Sequence, residues 1–342
     1  MADGGEGTLD AVLAGLGSRG AAHEHTVSDA AGQPTVADYG VFDDPDGAIA
    51  IIEIARIVGI TDSRGTSVPL GARSTRGVGQ LLVALMDRGL RRFLVALGGS
   101  STNDGGAGML GALGVVLLGS GGEPVAPTVA ALGQIERADV TALDPRVGQC
   151  ELTLLSDVDS PLCGPLGATA VFGPQKGVAL SEVAVLDAAL ARFAERVESA
   201  LHCRAATSRG AGAAGGLGFA LQCLGGNFRV GAELVADLVG LDDALQGADW
   251  LLTGEGRSDA QTLAGKAPLV AARRARAAGV PATLVSGALD SAALPALARH
   301  FDAGCFAILA APSTEAACIA DADALLSDRV EQLARLWAAA RS

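Results

Sequence analysis

The residues of this sequence that could do chemistry lie in three short segments, each combining glycines with polar or charged side chains. The first is Leu97–Met109, which follows the apolar run Phe93–Leu97. Paired glycines let the chain turn at a strand end, and Asn103 or Asp104 can cap the next helix. Backbone N–H groups at such a turn bind anions, so we favour a phosphate site over a plain capped turn. The candidate binding residues are Gly98, Gly99, Ser100, Ser101, Thr102, Asn103 and Asp104.

The second segment, Leu252–Pro268, places four charged side chains in one loop after a predicted strand. Its carboxylates could hold Mg²⁺ or accept a hydroxyl proton, and its cations could bind a phosphate or a carboxylate. The alternative is a solvated loop with weak surface ion pairs. It is not a P-loop, because Gly265-Lys266 lacks the following Ser or Thr and the upstream glycine spacing. The candidates are Gly254, Glu255, Gly256, Arg257, Asp259 and Lys266.

The third segment, Ser156–Gly177, has Asp157 and Asp159 after a predicted strand, and near its end Gln175-Lys176 lies between proline and glycine. A turn with a surface lysine explains this pattern equally well. A formal G-x-G-x-x-G also occurs at Gly210–Gly215, but a dinucleotide site needs a strand directly before it, and His202–Ser208 is not one. An NAD-dependent dehydrogenase is therefore a weak alternative. His23 and His25 have no third ligand and indicate a surface strand rather than a metal site.

Apolar runs that end in glycine or small polar residues alternate with segments of helical period. This alternation predicts an α/β fold, with a doubly wound, mostly parallel sheet and a second, interleaved α+β domain. We expect a Rossmann-like domain from residues 1–20, 75–160 and 246–342, and an inserted domain from 21–74 and 161–245. The apolar runs are Phe93–Leu97, Leu152–Leu155, Trp250–Leu252, Ala282–Val285 and Cys305–Leu309, and the clearest helical segments are 77–88, 181–201, 263–278 and 314–340.

The composition limits the partners and the cellular location. The 342 residues suffice for about two domains, and the net charge of −13 disfavours nucleic acid and anionic membrane surfaces as partners. Six cysteines are far apart and never form a C-x-x-C pair, which predicts buried free thiols in a reducing compartment. No signal peptide or membrane span is evident, so we expect a soluble cytoplasmic protein.

The start of the chain is unusual, because a strand-end loop at residues 3–7 precedes a predicted helix at Thr8–Leu16 without any strand before it. Either later elements hold this loop, or the chain lacks its natural beginning. The candidate binding residues in this loop are Asp3, Gly4, Gly5 and Glu6.

Five strings, in this order and spacing, resemble the glycerate kinase family of the bacterial type I kind, which includes glycerate 2-kinases. The resemblance covers essentially the whole chain, including Ser74–Gly77. The strings are ADGGEGT at 2–8, GGSSTNDGGAGM at 98–109, FGPQKG at 172–177, GAGAAGG at 210–216 and TGEGRSDAQTLAGKAP at 253–268.

The resemblance implies a two-domain α/β kinase that uses ATP and Mg²⁺ to phosphorylate a hydroxyl of D-glycerate. The product would be 2-phosphoglycerate, with 3-phosphoglycerate as the alternative, and the protein would be a monomer or a homodimer. The residues agree, since phosphoryl transfer needs an anion-binding backbone, cations and a metal carboxylate. The catalytic candidates are Asp157, Lys176, Glu255, Arg257 and Asp259, with Asp104 and Asp157 as the metal ligands.

This chain departs from the family pattern at several places. The family usually has an opening strand and an Asp-Ser-x-Lys segment before ADGGEGT, which raises a second hypothesis: a relative that binds small hydroxy acids with impaired or no turnover. Ser156 stands where cysteine is common, Leu166 where asparagine is usual, and Ser258 where an aliphatic residue is usual. Of these, Leu166 bears most on substrate preference, because it removes a polar group.

We predict that alanine at Lys176, Arg257 or Asp259 lowers turnover by orders of magnitude without unfolding the protein, because each removes a charge from the phosphoryl-transfer site. A steady-state kinase assay with circular dichroism measures both properties. Unchanged turnover in any of these variants would exclude that residue from the catalytic set.

Overall fold

We describe the protein from a computed structural model, in which the described residues are 4–309, 311 and 313–340. They form two compact units, which we call the N-terminal unit, up to Gly231, and the C-terminal unit, from Ala232. The interleaved domains expected from the sequence stay a prediction. The compact units divide the chain differently, since segment 21–74 and most of 161–245 lie in the same unit as 75–160.

The helices and strands of the described residues alternate over most of the chain. The strands are β1 (Gly20–Ser28), β2 (Pro34–Phe42), β3 (Ile49–Glu53), β4 (Arg92–Ala96), β5 (Val116–Leu118), β6 (Arg137–Asp139), β7 (Glu151–Leu155), β8 (Asn227–Arg229), β9 (Leu251–Ser258), β10 (Ala282–Leu289) and β11 (Cys305–Ala307). The helices are α1 (Thr8–Leu16), α2 (Ala55–Val58), α3 (Arg76–Asp87), α4 (Ala107–Ala112), α5 (Ala168–Phe172), α6 (Val183–Leu201), α7 (Ala213–Cys223), α8 (Gly231–Leu238), α9 (Leu241–Leu245), α10 (Ala267–Ala277), α11 (Leu294–Leu297), α12 (Glu315–Ala320) and α13 (Ala322–Ala340).

The N-terminal unit is built on a six-stranded sheet with the order β1-β2-β3-β4-β7-β8. The first three strands pair antiparallel, whereas β3, β4, β7 and β8 run parallel. β3 is buried along its whole length, because it lies inside the sheet rather than at an edge. The segment 21–60 therefore contains strands that pair antiparallel and extend the main sheet. As a result, the carboxyl ends of four parallel strands share one edge.

The C-terminal unit contains a separate parallel sheet with the order β11-β10-β9. Its core consists of aliphatic side chains from β10, α10 and the segment around α11, joined by Phe301. The two sheets confirm the α/β fold class and its mostly parallel strands. The four predicted helical segments correspond to α3, α6, α10 and the pair α12–α13, which Asp321 separates.

The six cysteines are free thiols, as predicted, but only Cys223 is buried, while the other five are partly exposed. The expectation of buried cysteines is therefore wrong for five of the six. His23 is exposed on the edge strand β1, where its ring stacks on Tyr39, and His25 is only partly buried. No helix among the described residues is both long and apolar enough to cross a membrane.

The glycines at 210–216 serve close packing rather than dinucleotide binding. No strand comes before them, since α6 ends at Leu201 and turns follow. Gly215 has a φ of +66°, and a Cβ there would lie 2.0 Å from the carbonyl oxygen of Thr102. The Gly105 amide donates to the Gly215 carbonyl over 2.9 Å. This segment therefore packs against the backbone that follows β4. The glycine motif that suggested a dehydrogenase has this structural role instead.

We predict that Gly215→Ala destabilises the N-terminal unit more than Gly225→Ala does. Both positions have positive φ, which costs alanine about 1–2 kcal/mol, but only Gly215 also faces a backbone clash. Nothing lies within 4 Å of a Cβ at Gly225. The clash adds about 1–3 kcal/mol of overpacking cost at position 215.

Urea unfolding followed by far-UV circular dichroism measures the free energy of unfolding of each variant. Tryptophan fluorescence reports unfolding of the C-terminal unit, because Trp250 and Trp337 both lie there. It is the internal control, since both substitutions are in the N-terminal unit. Equal losses in the two variants would show that the contact with Thr102 is not the reason for glycine at position 215.

Candidate functional site

The segment that follows β4 is folded inward, so that its hydroxyl groups are buried. The amide and the Oγ of Ser101 both donate to the carbonyl oxygen of Val58, over 2.8 and 2.9 Å. Asn103 Nδ2 donates to Thr169 Oγ1 over 3.0 Å. The residues from Ser100 to Asp104 are at most 6% exposed. These five predicted binding residues therefore shape the segment from inside, and only Gly98 and Gly99 of this candidate set are partly open to solvent.

Asp104 is the electrostatic centre of this segment. Its Oδ2 accepts hydrogen bonds from the amide and Oγ1 of Thr75 and from the amide of Gly108, and its Oδ1 accepts from the amide of Gly106. Burial raises the pKa of the Asp104 carboxyl, and these hydrogen bonds oppose that shift. Asp104 thus caps two amides at the start of α4 from outside the helix, whereas the N-cap residue itself is Gly106. Its oxygens are already engaged, so it does not fit the role of a Mg²⁺ ligand.

Lys176 holds the same segment from the other side. It is 5% exposed, and its Nζ donates to Ser100 Oγ over 2.8 Å and to the Thr102 carbonyl over 2.7 Å. Burial lowers the pKa of Lys176 to about 7, the charge of Asp104 raises it in part, and Arg73 lowers it further. A neutral amine has two N–H groups, which match the two acceptors. The geometry therefore favours a positioning role for Lys176 over direct contact with substrate.

Arg73 is a buried cation that sequence reasoning missed. Its Nη1 donates to the carbonyl oxygens of Ser101 and Lys176, and its Nε donates to that of Val68. Burial lowers the pKa of Arg73. The side chain thereby joins the segment after β4 to the turn that carries Lys176. The sequence contains one indication of a role for Arg73, because this residue directly precedes the family-like string Ser74–Gly77.

The glycine loop at residues 4–7 is held by later parts of the N-terminal unit. The Gly4 carbonyl accepts from the Gly98 amide over 2.9 Å, and Glu53 accepts from the amides of Gly7 and Leu9. Gly4 has a φ of +99°, and a Cβ there would lie 2.7 Å from the Leu155 carbonyl oxygen. The loop is therefore anchored at the ends of β3, β4 and β7. Asp3, the first candidate of this loop, lies outside the described residues.

The solvent-facing part of this site lies at the carboxyl edge of the parallel strands. Glu6 and Asp157 are exposed there, beside the partly open backbone of Gly5, Gly98 and Gly99. Glu6 Oε1 accepts from Thr61 Oγ1 over 3.3 Å. Asp159 forms an ion pair with Arg209, so the charge of the Asp159 carboxylate already has a partner.

The second group of candidates forms a network in the C-terminal unit, centred on Glu255. Its Oε1 accepts from Ser258 Oγ over 2.8 Å and from Thr262 Oγ1 over 2.5 Å, and its Oε2 lies 3.7 Å from Lys266 Nζ. Ser258 Oγ also lies 2.7 Å from Ser286 Oγ on the neighbouring strand β10. This carboxylate therefore fixes the loop after β9 and orients Lys266.

Arg257 is the most exposed of the candidate cations, with 72% of its side chain open to solvent. Its Nε lies 3.8 Å from Asp259 Oδ2, and Asp259 Oδ1 accepts from the Gln261 amide. Gly254 is required by packing, because a Cβ there would lie 1.9 Å from the Val285 carbonyl oxygen. Gly256 faces open space and leaves the backbone beside Arg257 accessible. Strand β9 continues to Ser258, so Gly256 and Arg257 lie in the strand rather than in the predicted loop. This end of β9 is suited to bind an anion.

The arrangement brings the predicted residues together as two groups, one in each unit. Each group lies at the carboxyl ends of parallel strands, where open α/β sheets bind ligands. Within the described residues, no three His, Cys, Asp or Glu side chains form a ready metal site. Mg²⁺ usually needs only one or two carboxylates beside substrate phosphates, and exposed Asp157 fits that requirement.

The comparisons with known proteins identify the family. The sequence profile of the glycerate kinase family matches residues 1–338. The chain belongs to the glycerate kinase family. A protein named glycerate kinase from Bacillus subtilis (strain 168) is 40% identical over 295 residues, which cover 85% of this chain and 75% of that protein. A protein named glycerate 2-kinase from Escherichia coli (strain K12) is 35% identical over 290 residues, which cover 84% of this chain and 75% of that protein.

The fold of this glycerate kinase family member also matches a solved structure. A crystal structure from Salmonella typhimurium LT2, provisionally described as glycerate kinase 2, aligns with a TM-score of 0.80 and 33% sequence identity. The match covers 100% of this chain and 89% of that chain. The chain is therefore a kinase, and the family implies glycerate as its substrate.

The three departures from the family pattern have different surroundings. Ser156 is buried, and its Oγ accepts from the Val158 amide over 3.1 Å. Ser258 takes part in the Glu255 network, so its hydroxyl has a clear structural use. Leu166 is 69% exposed. Of the three, Leu166 is the residue whose side chain is free to affect a ligand.

We predict that Lys176→Met changes how stability depends on pH. The pKa of Lys176 is about 7 in the folded chain, against the ordinary value of 10.5. Between these two pH values, Lys176 of the unfolded chain binds a proton that Lys176 of the folded chain does not. The cost of burying Lys176 is therefore present in full below pH 7 and disappears as the pH rises to 10.5. Stability of the natural chain should rise through this window, and methionine removes that contribution.

The free energy of unfolding of both proteins, measured by urea unfolding at several pH values in the window, tests this prediction. The difference, natural chain minus variant, should increase by about 1.4 kcal/mol per pH unit. A difference that stays constant with pH would mean that Lys176 is protonated in the folded state.

Proposed function

We propose that this chain transfers the γ-phosphoryl group of ATP to a hydroxyl of D-glycerate with the help of Mg²⁺, giving 2-phosphoglycerate. The bond between the γ-phosphorus and the β,γ-bridging oxygen breaks, a bond to the glycerate oxygen forms, and the hydroxyl proton leaves. ADP is the second product. The relative named glycerate 2-kinase supports this regiochemistry, and 3-phosphoglycerate is the alternative product.

The observation that carries the proposal is the exposed Arg257 beside the open backbone of Gly256 at the end of a parallel strand. A guanidinium beside exposed backbone is suited to an anion such as phosphate. Lys266, which directly precedes α10 and lies 3.7 Å from Glu255, supplies a second cation near the same strand. Phosphoryl transfer relies mainly on positioning and on charge stabilisation, which these groups provide.

We assign the remaining candidates by what their side chains already contact. Lys176 and Asp104 position the segment after β4, and Glu255 positions Lys266. Asp259 orients Arg257, and we assign the exposed carboxylate of Asp157 to Mg²⁺. When bound, Mg²⁺ would neutralise phosphate charge. The predicted monomer or homodimer and the cytoplasmic location accompany this proposal as expectations, which light scattering and cell fractionation test.

We predict ADP release that depends on D-glycerate, ATP and Mg²⁺ together. The product is distinguished with purified enolase alone, which dehydrates 2-phosphoglycerate to an absorbing enol phosphate and does not use 3-phosphoglycerate. No ADP release by a folded protein would contradict the proposal and favour the binding-only relative. Release of ADP without the enolase signal would support kinase activity and identify 3-phosphoglycerate as the product.

We predict that Arg257→Ala lowers kcat/KM by about 10²–10³-fold, because it removes a cation from the developing phosphate charge. The matched control is Arg273→Ala, which removes the same charge from an exposed position on α10. Both variants should keep the thermal midpoint of the natural chain, since Arg257 is mostly exposed. Equal kinetics for the two variants would remove Arg257 from the site.

A further inference from the structure

The C-terminal unit contains a cavity of about 1020 Å³ at the carboxyl ends of β9 and β10. Part of its wall is strand β9 with Gly254, Gly256 and Arg257, and most of the rest is formed by aliphatic residues, interspersed with Ser313 and Cys318. A cavity of this size reaches the upper end of the range seen for small-molecule sites. Its volume suits a ligand much larger than a three-carbon acid.

The wall opposite the strands is a stripe of small and aliphatic side chains on α12 and α13. Cys318, Ala322, Leu326 and Val330 follow one another at intervals of four residues, so they share one face of the two helices. Ile319 and Leu326 are 71% and 44% exposed, although both border the cavity. Apolar surface left uncovered in this way marks a place where an apolar group binds.

The charged groups of the cavity are confined to one end. Glu255 and Arg257 are the only charged residues that line it within the described residues, and both belong to the carboxyl-terminal half of β9. The charge of Glu255 is already engaged by Lys266 and two hydroxyl groups, whereas the Arg257 side chain is mostly exposed. The cavity therefore combines an aliphatic end with a cationic end.

We propose that this cavity binds the nucleobase and ribose of the nucleoside triphosphate, with the phosphates at the end formed by Gly256 and Arg257. The assignment rests on the proposed kinase function. It places the nucleotide in this cavity and the glycerate outside it. A nucleotide has a flat, largely apolar ring system at one end and an anion at the other, which matches the two ends of the cavity. Glycerate has an anion and two hydroxyls but no apolar part to fill an aliphatic wall.

The first test measures protection of Cys318 from alkylation by iodoacetamide in the natural protein, read by mass spectrometry of its peptide. Saturating ADP with Mg²⁺ should slow alkylation of Cys318 about tenfold or more, because the ligand fills the space beside the thiol. D-glycerate alone should leave the rate unchanged. Cys150, in the N-terminal unit, is the internal control and should react at the same rate with and without ADP.

The second test compares Ala322→Phe with Ala324→Phe on the same helix. Ala322 lines the cavity, whereas Ala324 is exposed and does not line it. A phenyl ring at position 322 should raise the KM for ATP about tenfold or more while leaving the KM for glycerate within about twofold. The ring at position 324 should change neither constant.

The outcomes separate a failed site from a failed function. Normal turnover without ADP protection of Cys318, or protection by glycerate alone, would overturn the cavity assignment and leave the kinase proposal standing. Protection by ADP in a protein that shows no turnover would support a nucleotide site in the cavity and contradict the proposed activity. The protection experiment uses the natural chain, so it decides the question even when Ala322→Phe fails to fold.

Discussion

Lys176 donates hydrogen bonds to Ser100 Oγ and the Thr102 carbonyl from a position that is almost closed to solvent. This contact constrains the whole stretch between β4 and α4. Asp104 fixes the far end through four hydrogen bonds, and Arg73 joins the stretch to the turn that carries Lys176. Because buried polar groups are costly unless they are paired, each member of this network restricts the others. The open backbone at Gly98 and Gly99 is placed by that rigid interior.

Much of the local structure was predictable because it depends on local patterns. The apolar run before Gly98 predicts a buried parallel strand, and the helix Thr8–Leu16 has the predicted bounds. Asp104 was predictable as an acceptor for amides at a helix start from its type and position. The glycerate kinase family was predictable from five strings of residues, because their order and spacing are specific. These features need no knowledge of which segments meet in the folded chain.

Tertiary contacts decide what the sequence could not show. A lysine in a Pro-Gln-Lys-Gly turn looks like a surface residue, and only the fold places Lys176 against Thr102, 74 residues away along the chain. Glu53 ends a strand, yet it binds amides at the start of α1 and thereby anchors the glycine loop before it. Gly215 has the pattern of a dinucleotide motif, but it is needed for close backbone packing. Residue type predicts chemistry well only where the surroundings are known.

In this structure the segment after β4 is rigid and preformed, because most of its polar groups are buried and paired. Native-state hydrogen exchange tests this rigidity directly, through the amides of Ser101, Gly105 and Gly108, which donate to Val58, Gly215 and Asp104. Without any ligand present, these amides should exchange as slowly as those of β4. Exchange as fast as that of the exposed turn at 120–122 would contradict the account, because it would show that the buried network does not hold the segment.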